Sequence, residues 1–231
     1  MPKPRPRRTP NRPIPASELC DRYARLYTAA ITDVLDKRGC YHQTLPQEIV
    51  GLTPQMRIAG LAFPASGKVT RNADPSRALR AFLSMLTAVP RDAVLVVQSN
   101  DIGAAAHFGE LSAVALRARG ARGAVIDGAT RDAAYLLHDG FPVFCRYRTP
   151  MDSRPRWLAA EWGQPVTIGS VRVEPGDVVV GDLDGVVAVP KAQAVPVLLE
   201  CESLMHIENS VRDAVRTGLS PLAAYEKFGY L

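Results

Sequence analysis

The chain has 231 residues, 47% of them hydrophobic and 22% charged, which suits one large or two small globular domains with a real core. No stretch approaches the roughly 20 apolar residues that span a bilayer, and the N-terminus lacks the apolar segment of a secretory signal, so a cytoplasmic protein with no membrane partner is expected. The net charge of +5 invites a nucleic-acid partner, but its distribution argues against one. The first 13 residues carry five basic side chains (Lys3, Arg5, Arg7, Arg8, Arg12) and no acidic one, and the remaining 23 basic residues face 23 acidic ones. Residues 1–16 read as a basic, Pro-rich, disordered tail that cannot pack a core, and residues 17–231 as a single domain. Cys20, Cys40, Cys145 and Cys201 form no CxxC pair, and His42, His107, His138 and His206 are scattered. A disulfide framework and a His/Cys zinc site are therefore not expected.

Taken in chain order, Ser17 reads as the N-cap of a helix that runs to about Arg38. Leu19, Tyr23, Leu26, Tyr27, Ala30, Ile31, Val34 and Leu35 recur at helical spacing, and Gly39 stops it. Residues 56–70 read as strands broken by Gly60 and Gly67. Residues 76–89 form an amphipathic helix ended by Pro90. Ala93–Gln98 (AVLVVQ) is a short apolar run and hence a buried strand. The loop SNDIGAAAHFG follows. A helix from Glu110 to about Arg119 has Leu111, Val114, Ala115 and Ala118 on its apolar face and is capped by Gly120. Ala124–Ile126 is a second buried strand, which makes a β-loop-α-β unit with parallel strands and a right-handed crossover. A helix starting at Arg131 or Asp132 and a strand over 142–146 come next. Trp157 and Trp162, in the loop after Pro150, pack against a neighbouring element. The run VTIGSVRVEPGDVVVGDLDGVVAVP is rich in strands, with turns at Pro175-Gly176-Asp177 and Asp184-Gly185. A long helix from Lys191 to Arg216 closes the fold.

Ligands of an open α/β sheet sit beyond the carboxyl ends of its parallel strands. The first such end leads to Gly109-Glu110-Leu111 at a helix N-terminus, where free N–H groups favour an anion. Gly103–Ala106 and Gly109 are small enough to let a ligand approach the backbone. The second end carries Asp127-Gly128-Ala129-Thr130-Arg131-Asp132. A guanidinium suits bidentate binding of a carboxylate, and an aspartate is a hard ligand for Mg²⁺ or Mn²⁺. Plainer readings stand beside these. An Arg-Asp pair after a strand is also a common surface or helix-cap feature, Glu110 could simply answer the helix dipole, and Asp127-Gly128 could be a turn. No GxGxxG follows a strand, and there is neither a Walker loop nor a GxSxG elbow.

GELSAVALRARGARGAVIDGATRD, together with TDVLDKRG, VRVEPGDVVVGDLDGVVAVP and ENSVR near the C-terminus, resembles the RraA-like family over roughly residues 17–231. That family includes 4-hydroxy-4-methyl-2-oxoglutarate and 4-carboxy-4-hydroxy-2-oxoadipate aldolases, and also non-catalytic binders of ribonuclease E. The resemblance implies an α/β fold of three-layer, swivelling-domain-like (phosphohistidine-domain-like) type with N-terminal and C-terminal helices, assembled as a homotrimer or hexamer. It implies a divalent cation, Mg²⁺ or Mn²⁺, ligated by Asp132 and approached through water by Glu110 and by Glu208 of a neighbouring subunit. Arg131 would hold the substrate carboxylate and keto oxygen, and Glu110 would act in proton transfer. The backbone at Gly109, Leu111 and Ser112 would receive the carboxylate. The reaction implied is cleavage of a 4-hydroxy-2-oxo acid to pyruvate through an enolate, with side decarboxylation of oxaloacetate. Glu110 stands where the characterised aldolases carry Asp. An old family label, menaquinone methyltransferase, is discounted because no suitable glycine-rich cofactor loop follows the first strand.

Overall fold

The computed structural model describes residues 13–70, 73–100, 105–154 and 156–229. Expectations for the tail up to residue 12 and for Gly103 and Ala104 lie outside these residues. Two helices open the chain, α1 (Ala16–Tyr23) and α2 (Thr28–Lys37). They are followed by β1 (Val50–Gly51), the long β2 (Ile58–Val69), α3 (Pro75–Ala88), β3 (Ala93–Gln98), β4 (Ala106–Phe108), α4 (Glu110–Ala118), β5 (Gly123–Thr130), α5 (Ala133–Asp139) and β6 (Val143–Arg148). Then come β7 (Trp157–Trp162), the hairpin β8 (Val166–Ile168) and β9 (Val171–Val173), the hairpin β10 (Val178–Asp182) and β11 (Gly185–Val189), and finally α6 (Ala194–Arg216) and α7 (Pro221–Phe228).

The main sheet has the order β1-β6-β5-β3-β2-β10-β11, with β4 added on β5 and β7 on β2. Its centre, β6-β5-β3-β2, is parallel. The β3-α4-β5 crossover is the unit expected from the sequence, because fully apolar strands need cover on both faces. Alternation along each strand assigns the faces. In β3, Val94 and Val96 point to one core, and Ala93, Leu95 and Val97 to another. In β10, Val179 faces the first of these cores, while Val178 and Val180 face a third, under α1, α2 and α6.

The sheet curls until its edges nearly meet. Residues 43–45 pair antiparallel with β11: the Leu45 N–H donates to the Val186 carbonyl and the Ala188 N–H to the Gln43 carbonyl, each at 2.9 Å. The same segment then leads into β1, beside β6 at the far edge. Phe144 of β6 reaches β10, where a Cβ on Gly181 would come within 3.0 Å of its ring. The β8–β9 hairpin plugs the enclosed space with Val166, Ile168, Val171 and Val173. The result is a mixed α/β fold around a nearly closed, barrel-like sheet.

Several local expectations are corrected. The first helix is two helices, since the chain turns at residues 24–27; its N-cap is Pro15, not Ser17. Asp182 caps the second, accepting from the Thr28 N–H at 2.9 Å and the Thr28 hydroxyl at 2.6 Å. The strands at 56–70 are one strand. Its glycines do not break it but serve close approaches: a Cβ on Gly60 would lie 2.9 Å from the Asp92 carbonyl oxygen, and one on Gly67 would lie 2.0 Å from the Trp157 ring. Trp157 and Trp162 bound a strand instead of sitting in a loop, and α7 follows the long helix. Helix α4 is rotated from the expected face: Ser112, Ala113 and Leu116 are buried, while Leu111 is 78% and Val114 46% exposed.

Trp157 is buried, with its indole N–H donating to the Ser99 carbonyl at 2.7 Å. Gly67→Ala should therefore destabilise the protein by about 1–3 kcal/mol through overpacking, read by urea unfolding. A variant as stable as the parent would contradict this packing.

Candidate functional site

The site grows from the carboxyl end of β5. The Thr130 hydroxyl donates to the Phe108 carbonyl at 3.1 Å and the Arg131 N–H donates to it at 2.9 Å, which ties the end of β5 to β4. Asp132 then takes a left-handed conformation, φ +56°, at the N-cap of α5. Asp tolerates this region better than most residues. The turn throws its carboxylate back toward the start of α4. There Asp132 Oδ2 accepts from the Glu110 N–H at 3.2 Å and lies 3.5 Å from Arg131 Nε. A Cβ on Gly109 would sit 2.6 Å from the same oxygen, so the approach requires glycine there.

Arg131 is shared. Its Nη1 lies 3.3 Å from Asp152 Oδ2, and Asp152 is gripped in turn by Arg154, from Nη2 to Oδ2 at 2.6 Å and from Nε to Oδ1 at 3.2 Å. This pair is placed by β4, since the Ala106 N–H donates to the Met151 carbonyl at 2.9 Å. The Arg154 hydrogen bonds outweigh burial and hold the Asp152 carboxyl down from the usual 3.8 to about 2. A carboxyl depressed on folding adds stability above its ordinary value and loses it as the pH falls through about 2. The Arg131–Asp152–Arg154 chain is accordingly intact at any pH above the ordinary carboxylate range.

Glu110, Arg131 and Asp132 line one cavity of about 540 Å³, with Gly109, Leu111, Ser112, Asp152 and Arg154 also in its wall. The expected residues from α4 and from the end of β5 are thus brought together. The α4 amides are only partly open to an anion: that of Glu110 goes to Asp132, and that of Ser112 donates to the Gly109 carbonyl at 3.1 Å. A smaller cavity of about 330 Å³ is lined by Arg131 and Asp132 together with Ala133, Arg148, Thr149 and Pro150. Glu208 lies outside both walls. It is 13% exposed, accepts from the Tyr27 hydroxyl and stands 3.9 Å from Arg212. Asp127 is not a turn residue but part of β5, where it accepts from Arg146 Nε at 2.5 Å. Asp152 and Arg154 were missed by the sequence reading. Their only signal is an acid and a base two apart in a loop without periodicity.

The donors fit a hard cation in one particular way. Among the described residues no group of three or more His, Cys, Asp or Glu could cage a metal. A Mg²⁺ ion needs less, since it keeps several waters and takes one or two carboxylates plus substrate oxygens. Asp132, 40% exposed with one oxygen committed to Glu110 and Arg131, and Glu110 beside it supply that minimal set.

Comparison with known proteins places the chain in a family. The sequence profile of the RraA-like family, described as Aldolase/RraA, matches residues 28–188. A Halalkalibacterium halodurans protein whose name proposes a 4-hydroxy-4-methyl-2-oxoglutarate aldolase is 28% identical, over 86% of this chain and 89% of its own. The structure of an uncharacterised Pseudomonas syringae pv. tomato protein superposes with a TM-score of 0.82 at 26% identity, covering 93% of this chain and 95% of that one. Streptomyces coelicolor RraAS2, described as an unusual member of the RNase ES inhibitor RraA family, superposes at 0.77 with 27% identity, over 86% of this chain and 98% of its own. Every charged residue described in the wall of the larger cavity lies within the matched span, and by that span the chain belongs to the RraA-like family.

Proposed function

We propose that this protein is a divalent-metal-dependent lyase of the pyruvate aldolase type (class II), cleaving a 4-hydroxy-2-oxo acid to pyruvate and a second oxo compound. The observation that carries the reading is the convergence of Arg131, Asp132 and Glu110 on one cavity at the carboxyl ends of parallel strands. Arg131 already lies against one carboxylate, that of Asp152, and its fork suits the carboxylate of a 2-oxo acid. Asp132, with Glu110 beside it, would hold Mg²⁺ or Mn²⁺, which supplies Lewis acidity at the 2-oxo oxygen. Glu110 is the candidate base for the 4-hydroxyl. As that proton leaves, the O–H electrons form the new C4 carbonyl, the C3–C4 bond breaks, and its electron pair passes into the enolate of pyruvate, which is then protonated at C3. No lysine is among the described residues of the wall, so a Schiff base has no candidate there. Oxaloacetate would lose CO₂ through the same enolate.

Assembly as a homotrimer or hexamer, a water-mediated reach of Glu208 to the cation of an adjacent subunit, and a swivelling-domain-like classification of the curled sheet belong to the same reading. Within a single chain Glu208 instead serves Tyr27. The likeness to RraAS2 favours a second reading, a non-catalytic regulator that binds ribonuclease E. The presence of Glu110, Arg131 and Asp132 together favours catalysis.

Pyruvate release from 4-hydroxy-2-oxo acids and from oxaloacetate should vanish on thorough chelation and return with Mg²⁺, Mn²⁺ or Co²⁺. Full activity in metal-free protein would contradict the mechanism, and inactivity on every substrate with the metal restored would favour the regulator. Arg131→Lys should lower kcat/KM by about 2–4 kcal/mol of transition-state stabilisation, since an ammonium cannot reproduce the guanidinium fork. Near-parental kinetics in that variant would place the site elsewhere.

A further inference from the structure

The larger cavity has two unlike walls. Among its described lining residues the charges are Glu110, Arg131, Asp132, Asp152 and Arg154, all supplied by the β4–α4 junction, the end of β5 and the segment before β7. The facing wall is α3. It presents Ala78, Leu79, Phe82, Leu83 and Leu86, a helical stripe without a polar member, while its arginines, Arg77 and Arg80, do not line the cavity. Phe108 and Trp157, both buried, continue the apolar surface. Leu83 remains 49% exposed in the chain, so this stripe lies open beside the site.

Resting on the aldolase reading, we propose that the substrate's tail beyond the bond that breaks is apolar: a 4-hydroxy-2-oxo acid with an aliphatic or aromatic group at C4, not a second carboxylate. The charge balance supports this. Two guanidinium groups face three carboxylates in the described wall. A divalent cation turns that deficit into a single excess positive charge, which one carboxylate neutralises. The wall's second cation is also committed, since Arg154 is held in two hydrogen bonds by Asp152. A second carboxylate laid on Phe82 and Leu83 would lose its water without gaining a partner, whereas an apolar tail leaves water for a matching surface. For a carboxylate tail the smaller cavity, where Arg148 stands, offers a route.

Two 2-oxo acids that lack the 4-hydroxyl, and so cannot undergo the cleavage, separate these routes on the metal-loaded wild-type protein. Calorimetry should show 2-oxo-4-phenylbutanoate binding at least about tenfold more tightly than 2-oxoglutarate, a difference of the size a hydrophobic pocket commonly delivers. Leu83→Arg should reverse or erase that order while both ligands still bind through their shared 2-oxo carboxylate end. Equal affinities, or a preference for 2-oxoglutarate that Arg148→Ala removes, would overturn the proposal and leave the aldolase reading standing. Loss of assembly in Leu83→Arg with the ligand preference unchanged would make the stripe a subunit contact, and that too would overturn it. Failure of both acids to bind, with no aldol cleaved, would overturn both readings together.

Discussion

The site depends on one close approach, the Asp132 carboxylate against the Gly109–Glu110 peptide. It joins the end of β5 to the start of α4, and only a glycine leaves room for it. The left-handed backbone at Asp132 is the means. A right-handed residue there would carry the carboxylate along α5 and away from Arg131. Strain of this kind persists when its surroundings over-determine it, and here they do. The peptide N–H of Glu110, the Arg131 guanidinium and the strand pairing of β4 with β5 all hold the same corner.

The curled sheet explains why that corner is rigid. Each central strand is buried on both faces, inward around the β8–β9 hairpin and outward under helices. Burying one Val or Leu side chain contributes roughly 1.5–3 kcal/mol, so the strand ends that deliver Arg131 and Asp132 belong to the best-supported part of the molecule. The groups that complete the cavity come from outside the parallel strands. Asp152 and Arg154 sit on a connection between strands and hold each other, and α3 shows an apolar stripe to the open side.

What was legible in the sequence follows the same division. AVLVVQ and AVI announce buried strands because they are short, apolar throughout, rich in β-branched residues and bounded by turn signals, and the positions of Arg131, Asp132 and Glu110 at strand and helix ends followed from that. The misreadings share a cause: periodicity records spacing but not what a residue meets. The apolar spacing from Leu19 to Leu35 continues through the turn that splits α1 from α2. Gly60 and Gly67 look like strand breakers but make room for Asp92 and Trp157. Leu111 and Val114 look like core, yet the core takes Ser112, Ala113 and Leu116. Asp152 and Arg154 went unfound, because the contact of Asp152 with Arg131 crosses about twenty residues of chain and the local Asp152–Arg154 pair sits in a loop without periodicity.

The central claim is that Asp132, fixed by Gly109 and Glu110, is the anchor of a divalent cation beside the Arg131 carboxylate site. Direct titration of Mn²⁺, followed by the loss of its free-ion paramagnetic resonance signal, tests this without reference to turnover. The account predicts saturable Mn²⁺ binding to the wild-type protein, tightened by pyruvate and abolished in a folded Asp132→Ala variant. Unchanged Mn²⁺ affinity in Asp132→Ala would contradict it.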